Sequence, residues 1–130
     1  MTPSLSHFTV LNAMQVGVID CPPDAGVTTL ARTMAEHRIH CVVVSGDPWG
    51  IVSDLDLMAS LRPGVTATAG DLAATDVVVV DPSDTLEHAA QLMAEHDTAH
   101  VVVVSPETGR PVGILSTLDV ARWAATSLVY

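Results

Sequence analysis

Apolar residues recur along this chain at two spacings, and each spacing occurs twice. Val27, Leu30, Ala31 and Met34 fall three and four residues apart, as do Leu86, Ala89, Ala90, Met93 and Ala94 within 84–97, so each set predicts one buried helical face. Uninterrupted apolar runs at 41–44 and 101–104 predict strands covered on both sides, and the β-branched run at 77–80 predicts a further strand. Pro82-Ser83-Asp84 supplies the turn and the N-cap before the second helix, and Ser53 and Ser116 open further helices expected to end near Leu61 and Thr126.

The two sets belong to one tandem repeat. Met34-Ala35-Glu36-His37 returns as Met93-Ala94-Glu95-His96, an offset of 59 residues, and both copies close on a related motif: Gly50-Ile51-Val52-Ser53-Asp54-Leu55-Asp56 and Gly113-Ile114-Leu115-Ser116-Thr117-Leu118-Asp119. The closing motifs stand 63 residues apart, because the loops before them, 45–49 and 105–111, differ in length as surface loops do. Residues 63–67 read as the linker. Each copy is too short to bury a good core alone, so two like units with functional groups in matching pairs are expected.

Composition narrows the function. The net charge is −10 and all five basic residues are Arg, a poor match for a phosphate backbone, so nucleic acid is not expected as a partner. Mean hydropathy is high at +0.41, yet no apolar run approaches the roughly 20 residues of a membrane helix, and residues 1–8 lack the features of a secretion signal; a cytoplasmic protein is expected. Cys21 and Cys41 lack zinc or redox spacing and read as small buried thiols. With no Gly-rich phosphate loop and no nucleophile elbow, catalysis is not expected.

The order strand, helix, strand, strand, helix, with Met-Ala-Glu-His ending the first helix and the Gly-Ile-x-Ser-x-Leu-Asp motif beginning the last, resembles a tandem pair of CBS domains, a Bateman module, over about residues 9–127. That resemblance implies an α/β (α+β) fold of two β-α-β-β-α motifs, 9–62 and 68–127, in pseudo-twofold arrangement between a short N-terminal extension (1–8) and a tail (128–130). It implies a regulatory module that takes adenosyl compounds in clefts between the motifs. Asp56 and Asp119 would hold ribose, and Ser53 and Ser116, with His40 and His100, would face phosphate. Val16, Val18, Thr75 and Val77 would wall the adenine. Relatives often carry Pro where Val43 and Val102 stand here, and more basic residues near the phosphates. AMP, ADP or S-adenosylmethionine therefore suits the acidic chain better than ATP, as a regulatory ligand and not a required cofactor.

The residues support two chemistries at these motifs. A Ser at a helix start sets its hydroxyl beside unpaired N–H groups and the positive dipole end, and a carboxylate three residues on can accept two bonds from a vicinal diol. The same pair is also a capping box that binds nothing else, which corresponds to the alternative of a structural or protein-interaction dimer without nucleotide. His37, His40 and Cys41, partly echoed by His96 and His100, have metal-ligand chemistry but no demonstrable convergence, so no metal site is assigned. Trp123, Ala124 and Leu128 on the last helix are the expected homodimer contacts. A further protein partner is expected but unidentified.

Overall fold

The computed structural model describes residues 5–127, and Leu128 lies outside them. The chain forms two compact units, each of mixed α/β construction. A central unit spans residues 19–77, and a terminal unit joins the residues up to Val18 to those from Val78 onward.

In the central unit, β2 (Asp20–Cys21) runs parallel to β3 (Cys41–Val44), which pairs antiparallel with β4 (Gly50–Ser53). Helix α2 (Val27–His37) crosses between β2 and β3 and buries Leu30 and Met34 on its predicted face; α3 (Asp54–Ser60) follows β4 directly. Their apolar sides meet Val42, Val44 and Val52 in one core. Arg38 ends α2 in the left-handed conformation and its N–H closes on the Met34 carbonyl.

The terminal unit repeats this plan. β5 (Val79–Val80) is parallel to β6 (His100–Val104), and β6 is antiparallel to β7 (Pro111–Ser116). Helix α5 (Leu86–Glu95) is the crossover and α6 (Thr117–Ser127) leaves β7, together covering Val101, Val103 and Leu115. The predicted helix over 84–97 is shorter in the structure, because Thr85, not Ser83 or Asp84, is its N-cap: Thr85 Oγ1 accepts from His88 N–H at 3.0 Å. Asp84 instead closes the preceding turn, accepting from Asp81 N–H at 2.8 Å. The 77–80 run yields strand pairing at Val79 and Val80 alone, though the Val78 carbonyl still accepts from Val102 N–H.

Each unit takes its leading segment from beside the other copy. Helix α1 (Val10–Ala13) and β1 (Gln15–Val16) open the first copy, yet β1 pairs with β7, Gln15 opposite Ile114 and Val16 opposite Gly113. Helix α4 (Ala69–Leu72) opens the second copy, yet Ala74 bridges to Ile51 on β4. Both crossings explain the glycine of the closing motif. A Cβ on Gly113 would lie 2.6 Å from the Gln15 carbonyl oxygen, and one on Gly50 would lie 2.9 Å from Ala73 Cβ and 3.0 Å from the Ala74 carbonyl oxygen.

Candidate functional site

Side chains along β3, β4, β6 and β7 alternate between the helix-covered face and its opposite. Val42, Val44 and Val52 belong to the helical core of the central unit, which puts Cys41 and its cross-strand neighbour Ser53 on the other face. In the terminal unit Val101, Val103 and Leu115 play the core role, so His100 and its neighbour Ser116 share the face away from the helices. His100 therefore stands beside Ser116 on that face. His40 occupies a different place: it precedes β3, its side chain is 69% exposed, and its Nδ1 meets Asp54 Oδ2 at 2.9 Å. The positional twin of His100 is Cys41, and that of His40 is Ala99.

Both Ser and Asp pairs form the capping box. In the central unit Asp56 Oδ2 accepts from Ser53 N–H at 3.0 Å while Ser53 Oγ accepts from Asp56 N–H at 3.2 Å. In the terminal unit Asp119 Oδ2 accepts from Ser116 N–H at 2.9 Å and from Ser116 Oγ at 3.0 Å, and Ser116 Oγ accepts from Asp119 N–H at 3.2 Å. A box engages one carboxylate oxygen and leaves the second. At Asp56, which is half-buried, Oδ1 has no partner among the described residues. At Asp119, which is 5% exposed, Oδ1 accepts from Gln15 Nε2 at 3.2 Å. The twins therefore differ in what they have left to offer a diol.

Gln15 was absent from the residues singled out in the sequence. Its contact with Asp119 spans 104 residues and arises from the pairing of β1 with β7, whereas the corresponding position in the second copy is Ala74, which cannot donate from its side chain. Its neighbour Val16, expected as an adenine wall, points to the opposite face of β1 by strand alternation and is 80% exposed. Val18 and Val77 are half-buried in the irregular segments that follow β1 and Ala74, and Thr75 is exposed.

The cysteines are buried, free and raised in pKa. Burial, and next the charge of Asp54, pushes the Cys41 thiol up to about 11; burial, and next Asp20, raises Cys21. Neither is poised as a thiolate. Among the described residues no three His, Cys, Asp or Glu side chains converge as a metal site. Trp123 packs on Phe8 within the terminal unit, ring centroids 4.7 Å apart and 53° between planes, so part of the surface expected at an interface is used inside the chain.

A family model for the CBS domain matches residues 10–63 and 69–126. The chain belongs to the CBS-domain family as a tandem pair. It is similar to Hypoxic response protein 1 of Mycobacterium tuberculosis, 33% identical over 122 residues that cover 88% of this chain and 83% of that protein. Among solved structures it resembles CBSX2 in complex with AMP, at 28% identity and a TM-score of 0.74 over 92% of this chain and 97% of that one. It also resembles Hypoxic Response Protein I with two coordinated zinc ions, at 34% identity and a TM-score of 0.70 over 88% and 97%. The donor set here does not fit a zinc centre within the described residues: His40 Nδ1 is engaged by Asp54 and no third ligand joins them.

Proposed function

We propose that this protein is a non-catalytic regulatory module that binds an adenosine nucleotide, AMP or ADP in preference to ATP, with S-adenosylmethionine as the other ligand of the same class. The observation that carries the reading is the paired Ser and Asp at two helix starts, with Asp56 retaining a carboxylate oxygen able to accept from a ribose diol. The likeness to CBSX2 with AMP supports the ligand class. His100 beside Ser116 supplies one cation-forming side chain near a phosphate position, and the overall charge of −10 disfavours a triphosphate. The ligand regulates by binding one conformation more tightly than another, since an equilibrium shifts only by the difference in affinity. The protein acts as a cytoplasmic homodimer, with the exposed side of α6 contributing to self-association and a further protein reading the ligand state.

A specific observation favours a second reading, a structural dimer without nucleotide: both capping boxes are complete, and both oxygens of Asp119 are satisfied inside the chain. Thermal unfolding with AMP, ADP, ATP and S-adenosylmethionine decides between the two. A ligand at a hundred times its Kd stabilises by about 2.7 kcal/mol, and Asp56→Ala removes that gain. No shift with any of the four establishes the structural reading.

A further inference from the structure

The two closing motifs differ in the residue that follows the cap serine: Asp54 after Ser53, Thr117 after Ser116. The difference changes what each helix start can offer an anion. At α3 the N–H groups from Ser53 to Asp56 are all engaged inside the central unit. Ser53 N–H donates to Asp56 Oδ2 at 3.0 Å, Asp54 N–H to the His40 carbonyl at 2.8 Å, Leu55 N–H to Asp54 Oδ1 at 2.9 Å and Asp56 N–H to Ser53 Oγ at 3.2 Å. These are the donors through which a helix start holds phosphate, and here Asp54 has taken the one that the capping box leaves over. At α6 the N–H groups of Ser116, Thr117 and Asp119 are engaged in the same way, but Thr117 brings no carboxylate to Leu118 N–H.

Charge follows the same division. Asp54 and Asp56 put two carboxylates on the first turn of α3, where α6 has Asp119 alone. His40 Nδ1 is turned to Asp54 Oδ2 at 2.9 Å. The cross-strand neighbour of Ser53 is Cys41, whose thiol stays protonated through burial and then through the charge of Asp54, so the field of that carboxylate reaches the face that Cys41 and Ser53 share. The matching neighbour of Ser116 is His100, which can carry positive charge. None of the arginines of the central unit, Arg32, Arg38 and Arg62, lies on β3, on β4 or in the first turn of α3.

We propose that Asp54 sets the ligand specificity of the Ser53–Asp56 site: the central unit takes an adenosyl group whose 5′ substituent is neutral or cationic, a nucleoside or a sulfonium, more tightly than one that carries a 5′-phosphate. This rests on the adenosine-nucleotide reading above and narrows its ligand at the central unit, with AMP and then ADP as progressively weaker ligands. The diol contact at Asp56 is common to all of these compounds and therefore does not discriminate among them. What differs is the group placed beside Ser53. A phosphate there meets the Asp54 carboxylate and a helix start without spare donors, whereas a sulfonium meets an attractive charge and a neutral substituent meets neither penalty.

Isothermal titration of the full chain with adenosine, AMP and S-adenosylmethionine tests this. In the wild type the Kd for AMP is expected to exceed that for adenosine by about tenfold or more, as one like charge at close range requires. Asp54→Asn keeps the size of the side chain and an oxygen for Leu55 N–H while removing the charge. It should bring the AMP-to-adenosine ratio close to one and weaken S-adenosylmethionine. Asp54→Thr, which installs the residue of the other copy, should move the ratio the same way. The ratio compares two ligands on one protein, so a general loss of stability leaves it in place; thermal melting by circular dichroism verifies folding of each variant. Asp56→Ala should abolish the binding that shows the preference. A wild type that binds none of the three overturns both this proposal and the nucleotide reading. Equal affinity for adenosine and AMP, or a preference that survives the Asp54 variants or Asp56→Ala, overturns the proposal alone.

Discussion

At the scale of single residues, the positions of Ser53, Asp56, Ser116 and Asp119 were readable because a cap and its partner lie three residues apart. Their inequality was not, because the group that creates it, Gln15, is 104 residues from Asp119 and reaches it through strand pairing. Gln15→Ala should release Asp119 Oδ1, and the nucleotide stoichiometry measured by isothermal titration should rise above that of the wild type. Unchanged stoichiometry would show that Gln15 is not what distinguishes the twins. A second prediction concerns Cys41. Its folded pKa of about 11 exceeds its ordinary value of 9.0, so the native state holds the proton more tightly than the unfolded chain. The associated stability is fully present below about pH 9 and is lost as the pH climbs through about 11, with a contribution on the order of 2 kcal/mol. The chain has no Lys, which leaves this window to the thiols and Tyr130. Denaturant unfolding at pH 8 and pH 10.5 should show a smaller loss in Cys41→Ala than in wild type.

At the scale of elements, periodicity located the helices and strands, but tertiary contacts chose their ends. The second helix begins one cap later than Pro82-Ser83-Asp84 suggests because the chain is already held there: Thr85 bridges to Thr9, and Leu86 N–H donates to the Phe8 carbonyl at 2.9 Å. With the backbone fixed at Thr85, its hydroxyl is the one in reach of His88 N–H, and Asp84 is left to the turn. Thr85→Ala should therefore cost about 1 kcal/mol, as lost caps do, lowering the midpoint by roughly 3–6 °C for a domain of this size. Asp84→Ala should leave helix content unchanged by far-ultraviolet circular dichroism. The short strands were the hardest to foresee. At two residues each, β1, β2 and β5 carry no period of their own and exist because β7, β3 and β6 offer edges to them.

At the scale of the whole molecule, the repeat read in the sequence is not the partition of the packed bodies. The copies follow one another along the chain, yet the segment leading into the first packs with the second copy's strands, and the segment leading into the second packs with the first copy's. No local pattern encodes this exchange: α1 and α4 are each four residues long and are followed by short segments with no periodicity of their own. What the sequence does carry is the mark the exchange leaves, a glycine in each closing motif where the borrowed segment passes too near for a side chain. The exchange has a mechanical consequence. Val10 is fully buried among Leu86, Met93 and Val120, and Phe8 covers Trp123, so the terminal unit's core is completed by residues from the other end of the chain. Removing residues 1–17 strips the terminal unit of β1, of Val10 and of the Gln15 donor to a buried carboxylate, while taking nothing from the central unit's sheet or core. Losing a buried Val and a hydrogen bond to a buried charge costs several kcal/mol, a large share of the stability of a small domain. Native-state hydrogen exchange on the truncated chain should therefore show protection falling first in 100–116, near the far end of the sequence from the cut, with 41–53 retaining more. A truncated protein that lost protection in 41–53 first would mean that the leading segment supports the copy it adjoins in sequence, contrary to the pairing of β1 with β7.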